Sequence, residues 1–188
     1  MFGDPVKNEK GWEIKLLGDI FTIIDGDRGA QYPKGTDFFD SGYCAFLNTG
    51  NVTVNGFDFS NIQYITEEKD KQLRKGRFER QDIVLTTRGT VGNIALYTNN
   101  VPYVAMRINS GMVLLRHYSD VICPDYFISL VRSFSIMKKF LSGSAQPQLP
   151  IVNMKKIPIP IPPLPIQNQF ADFVKQVDKS KFELSRIF

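Results

Sequence analysis

Between Ile157 and Pro165 the chain carries five prolines, at 158, 160, 162, 163 and 165, interleaved with isoleucine. Proline fixes φ and removes a backbone donor, and it pushes the residue before it out of the helical region. This stretch therefore cannot be helical and is expected to be an extended, semi-rigid spacer. Pro165 sits where a helix accepts proline, in its first turn. The sequence thus predicts a globular part, a stiff elbow and a helix. An elbow of this kind sets the distance between two things.

The helix has a pattern of its own. Ile166, Phe170, Phe173, Val177, Ser180, Leu184 and Ile187 alternate spacings of four and three. That is a heptad seam with one polar interruption, Ser180. From Pro165 to Phe188 it predicts a helix about 36 Å long, at ~1.5 Å per residue. The expected partner is another helix, with Ile166, Phe170, Phe173, Val177 and Leu184 at the interface. A division follows: residues 1–150 as one domain, and residues 151–188 as proline-rich linker and coiled-coil-type helix.

The first 150 residues show short elements separated by long polar loops. Residues 12–24 read as a strand mixed with a short turn, and residues 25–35 as a glycine-rich loop. Thr66 is placed to cap a short helix with Glu67 and Glu68 against its dipole, and Gly76 to end it. Residues 82–97 read as a hairpin turning at Arg88-Gly89, and 111–116 as a buried strand. Tyr126, Phe127, Leu130, Val131, Phe134, Met137 and Leu141 fall at helical spacing over 124–141. The expected class is α+β, with a curved, mostly antiparallel sheet and short helices.

Several function classes lack their residues. Cys44 and Cys123 are the only cysteines and His117 the only histidine, which supplies neither a disulfide framework, a zinc site nor a triad. Asn100-Val101-Pro102-Tyr103 approaches the Asn-Pro-Pro-Tyr motif of amino-methylating DNA methyltransferases, but valine breaks its second position and no glycine-rich cofactor loop follows a strand. Asp25-Gly26-Asp27 is read as a turn. There is no run of about 18 apolar residues and no secretory signal, so a cytoplasmic protein without a membrane segment is expected. No cofactor, metal or catalytic constellation is assigned.

Charge is concentrated. The net charge is +4. Residues 69–80, with six basic and two acidic side chains, account for all of it. A local basic patch on an otherwise neutral chain suits a polyanion held by one face. The loops carry groups that read base edges and grip phosphates. Arg28, Gln31, Tyr32 and Lys34 lie in the first loop, and Asn48, Thr49 and Asn51 in the second. Thr86, Thr87, Arg88, Thr90 and Asn93 surround the hairpin turn. Arg107 and Asn109 precede a strand, and Ser142, Ser144, Gln146 and Gln148 precede the elbow. With Lys75 and Arg77 from the basic patch, Arg28, Gln31, Tyr32, Lys34, Asn48, Thr86, Thr87, Arg88, Thr90, Arg107, Ser144 and Gln146 form the candidate nucleic-acid-binding set.

Three stretches resemble one known family. Gly11-Trp12-Glu13 through Leu17-Gly18-Asp19-Ile20 is similar to its domain opening, Asp82 through Gly92 to its central hairpin, and Gly143 through Leu164, with Gln167 and Phe170, to its closing loop, proline elbow and helix start. The chain resembles the specificity (S) subunit of type I restriction-modification systems: one target-recognition domain and the start of its conserved helix. The resemblance implies a non-catalytic reader of one half of a bipartite site on double-stranded DNA. Methyltransferase (M) subunits would methylate adenine with S-adenosylmethionine, and motor/nuclease (R) subunits would cut. Met1 to Pro5 resembles the segment that follows the family's central helix, so the chain is read as a half-subunit, a cassette or a truncated form. A homodimer through the helix would restore two domains roughly 34 Å apart, one DNA turn. The alternatives are a fragment of a DNA methyltransferase or nuclease, and a protein-interaction module docking through its helix.

Overall fold

The structure, a computed structural model, describes residues 7–117, 120–133, 136–143 and 145–185, with side chains near its end described to Val177 and at Ser180. Met1 to Pro5, Phe134, Ser144 and the Leu184 side chain lie outside the described residues.

In chain order, β1 (Glu13–Leu16) passes through a helical turn, α1 (Leu17–Ile20), into β2 (Phe21–Asp25). After a long loop come β3 (Cys44–Leu47), the short hairpin β4 (Val52–Thr53) and β5 (Gly56–Phe57), then β6 (Gln63–Ile65) and α2 (Glu67–Gln72). The hairpin strands β7 (Ile83–Thr86) and β8 (Ile94–Leu96) precede β9 (Met106–Ile108) and β10 (Met112–His117). The chain then forms α3 (Pro124–Arg132), α4 (Ile151–Met154), β11 (Pro158–Ile161) and α5 (Leu164–Ser185).

The α+β class holds, and every strand pair but β3–β9 is antiparallel. The strands do not form one sheet. They are divided among a four-stranded sheet in the order β2-β10-β7-β8, a three-stranded sheet β6-β3-β9, and the two-stranded pairs β1-β11 and β4-β5. The unbroken apolar runs in β7 and β10 follow from burial on both faces. Ile83, Leu85, Val113 and Leu115 face a core containing Phe127, Leu130 and Val131 of α3. Val84, Met112 and Leu114 face a second core with Leu47, Tyr97 and Met106.

Three local expectations are corrected. Thr66 does cap α2, accepting a hydrogen bond from the Lys69 N–H at 3.2 Å. The helix ends at Gln72, however, before Gly76. Gly76 (φ +80°) serves a close approach: an added Cβ would lie 3.2 Å from the Gly26 Cα. The helix expected over 124–141 stops at Arg132, and a separate short turn at Lys138–Phe140 follows.

The third correction concerns the elbow. The proline run is extended, as expected, but it is no free spacer. Lys15 pairs with Ile159 and Leu16 with Pro158, and the Leu17 N–H donates to the Ile157 carbonyl at 2.9 Å. Spacing the prolines by two puts their missing donors on one side of the strand and leaves the pairing side intact. Ile157, Ile159 and Met154 are fully buried in the same core as α3. Residues before and after position 150 therefore share one core.

Candidate nucleic-acid interface

Asp27 is the staple of the first loop. Its carboxylate accepts the Gly29 N–H at 2.7 Å and the Arg74 N–H at 2.7 Å, tying residues 25–31 to the basic stretch after α2. Burial alone would push its pKa up. The backbone hydrogen bonds and the Arg74 charge outweigh burial and hold it below the usual 3.8. A depressed carboxylate adds stability that is complete above its unfolded pKa and is lost as pH falls through the folded value. Asp27→Asn turns an NH2 towards a backbone donor and is expected to cost about 1–3 kcal/mol at neutral pH. Urea midpoints of the two proteins are expected to converge as pH drops through the acid carboxylate range.

Three predicted loops converge beside this staple. The Arg28 guanidinium donates to Asp25 and to the Ser110 carbonyl, both at 3.1 Å. The Thr87 and Arg88 N–H groups both donate to the Gly111 carbonyl, at 2.8 and 3.2 Å. The Leu149 N–H donates to the Thr87 carbonyl at 3.0 Å. The 142–148 loop closes on itself through paired bonds between Ser142 and Gln148. The result is a cleft of about 260 Å³ lined by Asp25, Arg28, Thr87, Arg88 and residues 148–152. The second loop approaches Gly111, whose carbonyl holds Thr87 and Arg88: an added Cβ there would lie 2.8 Å from the Thr49 Cγ2.

Within this frame the candidate residues separate. Arg88, Thr90, Gln31, Lys34, Lys75 and Gln146 are exposed. Arg88 makes no recorded side-chain hydrogen bond or ion pair among the described residues, and it stands on the cleft with Arg28. Gln31 lines a neighbouring cleft of about 280 Å³ with Gln72 and Arg74. The Asn48 side-chain Oδ1 accepts the Gly50 N–H at 2.8 Å, closing a local turn. Ser144 lies outside the described residues.

Five candidates are turned inward or pulled into the fold. Thr86 is fully buried and its hydroxyl bonds the Thr90 carbonyl. The buried Thr87 hydroxyl donates to the Gly111 carbonyl at 3.0 Å. Tyr32 packs edge-on against Phe46, with ring centroids 5.9 Å apart. Arg107 is 5% exposed and pairs with the buried Asp70. Arg77 is half exposed and spans Asp70 at 3.4 Å and the Tyr43 hydroxyl at 3.5 Å. The Thr-Thr-Arg-Gly run at the end of β7 and an Arg inside Met-Arg-Ile give no local sign of which way each side chain points.

The sequence pattern of the type I restriction modification DNA specificity domain matches residues 9–186. The chain belongs to this type I DNA specificity family. It is 25% identical over 183 residues to the type I restriction enzyme MjaIX specificity subunit of Methanocaldococcus jannaschii, covering 93% of this chain and 40% of that protein. Its fold is that of the HsdS subunit from Thermoanaerobacter tengcongensis (TM-score 0.68, 19% identity, 95% of this chain and 40% of that one). A chain from a structure of the type I R-M system addressing complex assembly and conformational transition gives a TM-score of 0.71 at 17% identity, covering 94% of this chain and 40% of that one. The specificity-family chain described here thus spans about 40% of the length of these relatives.

In this specificity-family member much of the basic patch is engaged internally. Lys69 pairs with Asp37 at 3.3 Å and Lys71 with Glu67 at 2.8 Å. Arg80 donates to the Thr98, Val101 and Tyr103 carbonyls and lies 4.1 Å from the Tyr97 ring centroid. Two residues that shape the interface escaped the candidate set: Asp27, read only as part of a turn, and Asp25, which aims Arg28. Among the described residues no helix is long and apolar enough to cross a membrane.

Proposed function

We propose that the cleft face formed by loops 25–31, 87–90 and 145–150 reads base edges in one half of a bipartite DNA site. The observation that carries this reading is the meeting of three separate loops around one cleft, with the Arg88 guanidinium, unpaired among the described residues, on its wall. Arginine offers a planar fork to guanine O6 and N7 in the major groove. Arg28 is already aimed by Asp25 and Ser110, and the exposed Lys34 and Lys75 would supply phosphate contacts.

The chain contributes recognition, and other proteins supply the chemistry. Methyltransferase subunits bound to it would methylate adenine, and motor/nuclease subunits would act through them, in the cytoplasm. The functional division is residues 1–150 for reading and 151–188 for holding the reading domain at a set distance. Two copies joined along α5 would present two reading faces and favour a palindromic split site.

Fluorescence anisotropy with duplexes carrying and lacking the site tests the assignment. Arg88→Ala is expected to lower discrimination by about 1–3 kcal/mol with little change in stability. Lys75→Ala is expected to weaken binding to all sequences alike and to reduce the log–log salt slope by about 1. Equal, sequence-independent losses for both variants would contradict it.

A further inference from the structure

Gln167 is the one glutamine in α5 that is completely buried. Its side-chain amide is used in full. The Oε1 accepts the Cys123 N–H at 2.7 Å. The Nε2 donates to the Val121 carbonyl at 2.9 Å and to the Pro162 carbonyl at 2.7 Å. One side chain thus ties the start of α5 to the elbow and to the segment that enters α3. Only a primary amide at this position supplies one acceptor and two donors in a plane.

These bonds sit at the pivot of a lever. With 22 residues, α5 is about 33 Å long at ~1.5 Å per residue. Its other described anchors lie within its first twelve residues. Phe170 packs edge-on against Tyr126 with ring centroids 5.7 Å apart, Ala171 is buried, and Lys175 pairs with Asp125 at 2.6 Å. A tilt of about 10° at the base moves the far end by roughly 6 Å, which is about two base-pair steps at 3.4 Å each.

We propose that Gln167 is a positioning residue that fixes the direction in which α5 leaves the recognition domain, and through it the spacing between reading faces. The link to spacing rests on the DNA-reading assignment above; the directional role does not. Packing of Phe170 on Tyr126 is apolar and tolerates rotation, and the Lys175–Asp125 pair is largely exposed. A buried amide with three directed bonds admits one orientation.

Pulsed electron paramagnetic resonance on the full chain tests the direction without DNA. Spin labels go on Val104→Cys and Gln176→Cys, both exposed positions, in a Cys123→Ser background. Cys44 stays unlabelled, since burial pushes its thiol up to about 12. Dilution into unlabelled chain restricts the reading to distances within one molecule. The parent is expected to give one narrow distance. Gln167→Leu is expected to shift it by several ångströms or broaden it. Leu114→Ala, in the other core, is expected to lower stability and leave the distance unchanged. A parent-like distance in Gln167→Leu would overturn the proposal, assigning the direction to Tyr126–Phe170 and Lys175–Asp125. Gln167→Glu, which keeps the acceptor and loses both donors, carries the same comparison if the leucine variant does not fold. Failure of both to fold would also overturn it, making Gln167 a core residue and not a setting one. Loss of DNA reading leaves this measurement intact, and a negative result here leaves the DNA reading intact.

Discussion

Arg107→Ala is expected to destabilise the chain by about 3–5 kcal/mol, the cost of leaving one member of a buried ion pair without the other. The guanidinium is 5% exposed and Asp70 is 1% exposed. Besides the carboxylate, Arg107 donates to the Lys75 carbonyl at 2.7 Å, the Asp70 carbonyl at 2.8 Å and the Leu73 carbonyl at 3.0 Å. It therefore closes the C-terminal end of α2, where orphan carbonyls and the helix dipole both favour a cation. Lysine cannot replace this fork, so Arg107→Lys is expected to recover only part of the loss. Urea denaturation checks both. A near-neutral Arg107→Ala with weakened DNA binding would return Arg107 to the reading surface.

Ile159→Ala is expected to cost about 2–5 kcal/mol, the range for emptying a fully buried aliphatic site. The side chain is 0% exposed and its backbone pairs with Lys15 across the β1–β11 ribbon. A free proline spacer would show almost no effect, because an exposed isoleucine loses little on truncation. Chemical denaturation thus separates a docked strand from a tether. The ribbon also joins the beginning of the described chain to the segment that launches α5. Weakening it is expected to loosen that helix first, visible as earlier hydrogen exchange in 164–175 than in β10.

The periodic elements were legible from sequence. The β-branched hairpin at 82–97 and the apolar run at 111–116 announce β7, β8 and β10, the Thr66-Glu67-Glu68 start announces a capped helix, and the heptad spacing announces α5. Pairing was not legible. Nothing in Ile-Pro-Ile-Pro says that Glu13–Leu16, more than 140 residues earlier, will supply the partner strand. Long-range register depends on how the whole core closes, and proline argues locally against any strand.

The meeting of loops at the candidate face was legible by loop and not by residue. Arg28, Arg88 and the 142–148 loop come together as the candidate set implied. Arg107 and Thr86 do not, because direction within a short strand is set by which face the core claims, and Thr87 reaches the cleft with its hydroxyl already spent on the Gly111 carbonyl. Arg107 faces inward because Asp70 and the end of α2 wait for it. The heptad seam divides for a similar reason. Phe170 rests on Tyr126 of its own domain, whereas Phe173 is 54% exposed further along the helix.

Methylome sequencing of cells that carry this chain with cognate methylating subunits puts the recognition claim to its most direct trial. The chain is compared with a version in which residues 25–31, 87–90 and 145–150 are exchanged for those of another family member. The expected result is adenine methylation at a split motif in which one half changes with the exchanged loops while the gap stays the same. An unchanged motif after the exchange would contradict the account.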